Sequence, residues 1–347
     1  MNNSSDRSLD LNFRNETQHE YTPQGFIFFS EPFTVFLTIA LIIVIVVAII
    51  GNTLVCIATC LNPNLRKATT SLFIVSLAVS DLLTATLSIP FDIYTLKTNG
   101  LWFHGEATCI LWTTAYLLAV PTSNLTLLVL SIDRYLTLRA PLRQFRAGQF
   151  MTRERVLIYI AALWGYSLLF AILPVTGWEI WRLLPKYVVG EICFFNGSRL
   201  YNVMVSVLHF ILPALAMCVI YFMIYKQIRR HTCAVYPIDS TVATQNGLAK
   251  FLLQRNIRAA KRIALIVSAF LTCWVPYSVL SIIANQCLEC YGKIPLQVYY
   301  VTLLMGYSNS ALNPFLYSFN NRNFIDSYKR LYRVVRKAFR RQSRDVK

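Results

Sequence analysis

Asp81 is the first residue of this chain whose chemistry calls for a structural explanation. It is the only charged residue between positions 69 and 91. A carboxylate in apolar surroundings is costly and needs a partner, and such residues commonly mark function. Polar residues that could join it stand in other apolar stretches: Asn52, Ser123, Asn309, Ser310 and Asn313. Carboxylate, hydroxyl and amide oxygens are the donors that a small hard cation takes. The same set equally suits a hydrogen-bonded network that only joins helices. A second centre is Asp133-Arg134-Tyr135, an acid and a base at the end of an apolar stretch. On its own that pair reads as solvated charge at a helix end. No His/Asp/Glu cluster lies within the apolar stretches, so nothing there could carry out enzymatic catalysis.

The elements holding these residues follow from composition. The apolar fraction is 56% and the charged fraction 14%, against about 45–50% and about 25% in ordinary soluble domains. Residues 33–61, 107–132, 156–178, 200–225, 263–286 and 294–318 contain no Asp, Glu, Lys or Arg, and 69–91 contains only Asp81. Each of the seven windows reaches the roughly 20 residues needed to cross hydrocarbon as a helix. The fold class is therefore an all-α membrane protein with seven spans. Prolines at 90, 121, 174, 213, 276 and 314 do not disturb this reading, because membrane helices tolerate them when neighbours satisfy the backbone. The expected organisation is an N-terminal tail over 1–32, a membrane domain over 33–318, and a basic segment over 319–347.

Charge position sets the orientation. The net charge is +17. Bases gather in every second loop: Arg66 and Lys67; Arg139 to Arg155; Lys226 to Arg262; and the tail after residue 318. Such loops belong on the cytoplasmic side, so the N-terminus is expected outside, and the positive charge needs no nucleic-acid partner. Glycosylation sequons at Asn2, Asn3, Asn15 and Asn196 fall on the outer side, whereas the one at Asn124 lies inside span three. Cys109, Cys193, Cys287 and Cys290 also fall outside, where thiols oxidise. The pairs Cys109–Cys193 and Cys287–Cys290 are expected; free thiols or a metal site are the alternatives, with no His near either pair. Cys56, Cys60, Cys218 and Cys273 lie within spans and are expected to pack there.

In order along the chain stand Gly51-Asn52, then Ser76 to Asp81, Asp133-Arg134-Tyr135, Trp164, Pro213 with Tyr221, Phe270 with Cys273-Trp274-Val275-Pro276-Tyr277, and Asn313-Pro314 with Tyr317. Together these resemble the rhodopsin-like (class A) G-protein-coupled receptors over about residues 33–335. The resemblance implies a plasma-membrane receptor whose partners are an extracellular small ligand, heterotrimeric G proteins, receptor kinases and arrestin. It implies no cofactor beyond an allosteric sodium ion held by Asp81, Ser123, Asn309 and Asn313. It also implies a coupling and switching set: Asp133, Arg134, Tyr135, Pro213, Tyr221, Phe270, Pro276, Pro314 and Tyr317. Prolines fit a switch, because each kinks its helix. In many members an acid at the foot of span six pairs with the residue matching Arg134; here that place is Asn256. Asn124 also departs from the family's aliphatic residue and is expected to loosen packing. Beyond span seven, Phe324, Tyr328, Leu331, Tyr332, Val335 and Phe339 recur at helical spacing opposite a basic face. This predicts an amphipathic eighth helix on membrane lipid.

Local wording is nearest to the adenosine and biogenic-amine (histamine-like) branches, yet the ligand residues depart from both. The span-three acid of amine receptors is Tyr116 here, while Tyr307, its usual supporter, is present. The aromatic of adenosine receptors matches Phe195, but their span-six amide is Ser281. The expected pocket is Tyr116, Leu117, Val120, Phe195, Trp274, Tyr277, Ser278, Ser281, Tyr300 and Tyr307. It is aromatic and hydroxyl-rich, which suits a small, flat, weakly polar ligand. Asp92, about three turns from Asp81, is the one acid near its mouth and the alternative counter-ion for an amine. Residues 294–318 lack the lysine that a retinal protein needs. A transporter would show paired repeats and broken helices around midplane charges, which seven spans with one acid fit poorly. A decoy receptor that does not signal is the remaining alternative.

Overall fold

The computed structural model describes residues 29–139, 151–176, 188–189, 192–193, 199–233, 243–318 and 322–345. The long helices are α1 Glu31–Leu61, α3 Thr69–Lys97, α4 Gly105–Arg139, α5 Arg153–Ile172, α6 Leu200–Arg230, α7 Ala243–Gln286, α9 Leu296–Ser318 and α10 Arg322–Asp345. Short turns α2 Pro63–Lys67 and α8 Leu288–Gly292 join them. A small hairpin pairs β1 Val188–Val189 with β2 Ile192–Cys193, with Val188 opposite Cys193.

Six of these helices are long and apolar enough to cross a membrane. The seventh span, α9, is uncharged but carries Gln297, Asn309, Asn313 and four tyrosines, so it is less hydrophobic than the others. It is the helix that brings polar side chains inward: Asn309, Ser310 and Asn313 are buried, as is Tyr307. Large apolar side chains instead point outward, among them Phe36, Ile158, Leu169 and Phe315. A chain solvated by lipid has no reason to hide them. Cys60 and Cys218 share that outward position, so the expectation that they pack inside fails; Cys273 is buried. Several spans outrun their uncharged windows. α3 carries Asp92 and reaches Lys97, and α7 begins at Ala243, about five turns before the window that marked it. Polar ends of a membrane helix can extend past the hydrocarbon, so charge-free length marks only the embedded portion.

Both expected disulfides form. Cys109 at the start of α4 pairs with Cys193 of β2, and Cys287 pairs with Cys290. The first fixes the hairpin to the bundle, and Leu101 bridges to Ile192 beside it. At the opposite end α10 folds back against α1 and α2. Phe324 is fully buried, and Asn62 Nδ2 donates to the Asn323 carbonyl and Ser327 Oγ at 3.2 and 2.9 Å. Tyr332 is exposed, as a lipid-facing residue should be. The side chains of Val335 and Phe339 lie outside the described residues.

Two glycines set helix spacing. A Cβ on Gly51 would sit 2.6 Å from Cγ of the Pro314 ring, and one on Gly306 would sit 3.0 Å from the Trp274 indole. Gly165 has open space around it. Helix propensity alone favours alanine over glycine by about 1 kcal/mol, so clash and propensity oppose each other at Gly51. A rigid ring cannot yield cheaply, so Gly51→Ala is expected to destabilise by about 1–3 kcal/mol. Gly165→Ala should be neutral or stabilising. Thermal unfolding of the two purified variants checks this; equal midpoints would disprove the close approach of α1 and α9.

Candidate functional site

Three polar or aromatic centres are stacked along the bundle. The middle one surrounds Asp81, which is 1% exposed. Ser310 Oγ donates to its Oδ1 and Asn313 Nδ2 to its Oδ2, both at 2.8 Å. These bonds join α3 to α9. Of the expected set, Asp81 and Asn313 meet directly. Ser123 instead pairs with Ser80 at 2.5 Å, and Ser310 stands where Asn309 was expected. The two are adjacent in sequence and both are buried, so sequence could not decide which side chain reaches Asp81. The amide oxygens of Asn52, Asn309 and Asn313 are buried with no hydrogen-bond partner. Among the described residues no three His, Cys, Asp or Glu gather as a metal site.

Prolines explain two further contacts. Pro314 has no N–H, so it cannot donate to the carbonyl of Ser310 one turn earlier. Asn52 Nδ2, from α1, reaches that carbonyl at 3.0 Å and also bonds its own Ala48 carbonyl at 2.9 Å. Pro213 likewise cannot donate to the His209 carbonyl, where α6 widens into a π-turn over Val207–Ile211. The Nδ2 of Asn124, from α4, donates to it. Asn124 therefore ties α4 to α6, and only its Oδ1 is left without a partner. Its expected role as a loosening residue gives way to that of a bond between helices. Phe270 is buried in the core, and His209 Nε2 lies 3.1 Å from the Tyr166 hydroxyl.

Toward the disulfide end, aromatic side chains converge from three helices. Tyr116 of α4 lies with ring centroids 6.3 Å from Trp274 and 6.4 Å from Tyr277, both on α7. Trp274 meets Tyr307 of α9 edge to face at 6.2 Å. Leu117 and Val120 are buried beside them, and Tyr300 packs on Phe29 at 5.4 Å. Tyr299, Phe210 and Trp112 also join this group but were not singled out by spacing. Ser278 turns back to the Trp274 carbonyl at 2.8 Å, so its hydroxyl is taken by its own helix; Ser281 is half-buried. Phe195 and Asn196, like Asn2, Asn3 and Asn15, lie outside the described residues. Asp92 is not the solvated acid of a helix end: it is 4% exposed, and the Tyr307 hydroxyl donates to its Oδ2 at 2.7 Å.

The third centre lies at the far end. Arg134 is paired with Asp133 through Nε at 3.0 Å and through Nη2, which also donates to Thr70 Oγ1 of α3 at 3.1 Å. This is the one ion pair among the described residues. A cleft of ≈ 180 Å³ opens beside it, lined by Thr70, Asp133, Arg134, Arg255, Asn256 and neighbours. Asn256 faces Arg134 across this cleft with no charge to offer. Tyr135 and Tyr221 pack around Leu138, Ile220 and Ala260. Tyr317 is buried in the core, its hydroxyl without a partner. Thr70 carried no signal in the sequence, since one threonine among several is not distinguishable without the fold.

Residues 51–317 match the family described as 7 transmembrane receptor (rhodopsin family). The chain is 33% identical to the histamine H2 receptor of Cavia porcellus, covering 88% of this chain and 82% of that protein. It is 31% identical to the 5-hydroxytryptamine receptor 4 of Homo sapiens, over 81% and 75%. It is 30% identical to the 5-hydroxytryptamine receptor 1 of Aplysia californica, over 90% and 76%.

The carbonyl contacts of Asn52 and Asn124 predict a measurable cost. Asn124→Leu leaves the His209 carbonyl without its donor in a medium without water. The variant is expected to lose about 1–3 kcal/mol of stability, read as a lower unfolding midpoint in lipid nanodiscs. An unchanged midpoint would mean that the carbonyl has another partner.

Proposed function

The chain belongs to the rhodopsin family of seven-transmembrane receptors, and on that premise we propose that it transmits binding of a small extracellular ligand to heterotrimeric G proteins. It is a multi-pass membrane receptor and not an enzyme. The observation that carries the coupling reading is the Arg134 cleft: a partly buried, paired arginine beside an open cavity at the end opposite the disulfide. Basic loops at that end support a cytoplasmic position for it and an outer position for the N-terminus. In this reading the G protein enters the cleft when α7 swings away from Arg134. Receptor kinases and arrestin are expected at the same face, and α10 rests on anionic lipid there.

The ligand site is the aromatic group of Tyr116, Trp274, Tyr277, Tyr300 and Tyr307 with Leu117 and Val120. Rings and hydroxyls without a central span-three acid suit a small, flat, ring-bearing ligand. Relatives named for histamine and 5-hydroxytryptamine support a ligand of that size and shape and favour the amine branch over the adenosine branch. A decoy reading has no specific observation behind it, because Asp133, Arg134, Asn313, Pro314 and Tyr317 are all in place. The direct test is nucleotide exchange on a panel of purified G proteins by the full-length receptor in nanodiscs. No exchange on any of them, with or without ligand, would discard the receptor reading.

We also propose that the Asp81 centre takes sodium. Carboxylate, hydroxyl and amide oxygens suit a small hard cation, and the amide oxygens of Asn313, which bonds Asp81, and of Asn52, which bonds Ser310, are buried without partners. A cation that favours the inactive packing must oppose agonist by linkage. Asp81→Asn is therefore expected to abolish any sodium effect on agonist-driven exchange; a sodium effect unchanged in the variant would sink the site.

Basal signalling is the second functional prediction. α7 carries no acid that could pair with Arg134, so among the described residues closure rests on Asp133 and Thr70. Removing about 1.4 kcal/mol from the closed state shifts the equilibrium about tenfold. Ligand-independent second-messenger output is expected to rise with surface expression, and Asn256→Glu should lower it several-fold. A flat wild-type line, or no drop in the variant, would count against this.

A further inference from the structure

Asp92 has an unusual setting for a carboxylate inside a membrane bundle. It is buried, and both partners identified for it are neutral donors: the Tyr307 hydroxyl at 2.7 Å and the Trp112 side chain. An indole N–H can only donate, so it holds Asp92 as an acceptor. Among the described residues, however, the single ion pair is Asp133–Arg134, and Asp92 has no cationic partner. Lys97, the nearest base along α3, is exposed. A buried carboxylate with neutral donors and no cation is incomplete as an ion-binding group, because an unpaired charge at this depth is costly.

The surroundings show what would complete it. Tyr307 touches both sides of the site: its hydroxyl reaches Asp92, while its ring meets Trp274 edge to face at 6.2 Å. Tyr116 lies close enough to Asp92 and to Tyr277 to feel both electrostatically. The carboxylate thus stands at the wall of a group of electron-rich rings from α4, α7 and α9. Aromatic faces attract cations, most strongly when water is excluded. Tyr116 occupies the α4 position from which no charge can be offered, and among the described residues the acid bonded to this aromatic group comes from α3.

Building on the receptor reading above, we infer that Asp92 is the counter-ion for the cationic nitrogen of a small aromatic amine, with Tyr307 positioning the carboxylate and Tyr116 lying beside the ammonium. The ring of the ligand then sits among Tyr116, Trp274 and Tyr277. The ammonium supplies the charge that Asp92 lacks, and the carboxylate accepts its N–H.

The test uses the full-length receptor in lipid nanodiscs and thermal unfolding as the binding readout. The probes are tryptamine and phenethylamine, each against its neutral alcohol, tryptophol or phenethyl alcohol. Both amines are expected to raise the wild-type midpoint, and the alcohols to bind at least tenfold more weakly. Asp92→Asn should weaken the amines by about 100-fold or more, with the alcohols little changed, and Asp92→Glu should restore part of the loss. The comparison of amine with alcohol in the wild-type chain needs no variant to fold. Equal shifts by amine and alcohol, an amine shift that survives Asp92→Asn, or no amine shift at millimolar concentration would each overturn the inference. G-protein exchange in the same preparation separates the two readings. Exchange without an amine effect removes only the Asp92 inference, whereas an Asp92-dependent amine shift without exchange removes only the receptor reading.

Discussion

A carbonyl that loses its helical donor inside a membrane has no water to turn to, and this constraint organises the bundle. Pro213 and Pro314 each withhold an N–H from the carbonyl one turn earlier. In both places an asparagine from another helix supplies the missing donor: Asn124 to His209, and Asn52 to Ser310. The bend and the cross-helix bond are therefore one device. The proline makes the helix deformable, and the amide decides where the deformed helix is held. Hydrophobic burial could not do this, because lipid solvates Phe36 or Leu169 as well as another helix would.

Polar residues consequently carry the specificity of packing. Ser310 shows the economy of the arrangement. Its carbonyl accepts from Asn52 while its hydroxyl donates to Asp81, so α1, α3 and α9 meet at one residue. Gly51, one position before Asn52, lets α1 approach the Pro314 ring closely enough for that contact. A hydrogen-bonded centre fixed in this way has few alternative packings, and those few are what a two-state switch uses.

The three centres lie in series. Tyr307 touches Asp92 and Trp274, Trp274 packs on Gly306, and one turn further along α9 Ser310 and Asn313 hold Asp81. A ligand that pulls on Asp92 or Trp274 therefore acts on the same helix that carries the Asp81 cluster. At the far end, among the described residues, Arg134 is held by its neighbour Asp133 and by Thr70 of α3. α7 carries no acid to oppose its release, so the strength of closure rests on packing around Tyr135, Tyr221 and Ala260 rather than on a second charge.

Much of this was legible in the order of residues. Six charge-free windows and a seventh whose one charge is Asp81 require membrane helices, since the backbone polarity of any other element would be unsatisfied in lipid. Pairing Cys109 with Cys193 followed from which loops share a side, and Asp81 marked a centre because a lone buried acid needs partners. Sequence could not say which of Asn309 and Ser310 reaches Asp81, because adjacent helical positions differ by about 100° and both lie on the inward side of α9. Nor could it find Thr70 or Ser80, whose roles exist only through residues more than forty positions away. Asn124 read as a misfit until Pro213 was seen to have left a carbonyl for it. Asp92 read as an acid near the mouth of the pocket, but its partners could not be named from its position in the chain. Only the tertiary structure shows α3 continuing to Lys97 and Tyr307 reaching across to meet it. Local polarity determines how many helices there are and where they sit; the contacts between them depend on rotation and bend, which the chain's own packing decides.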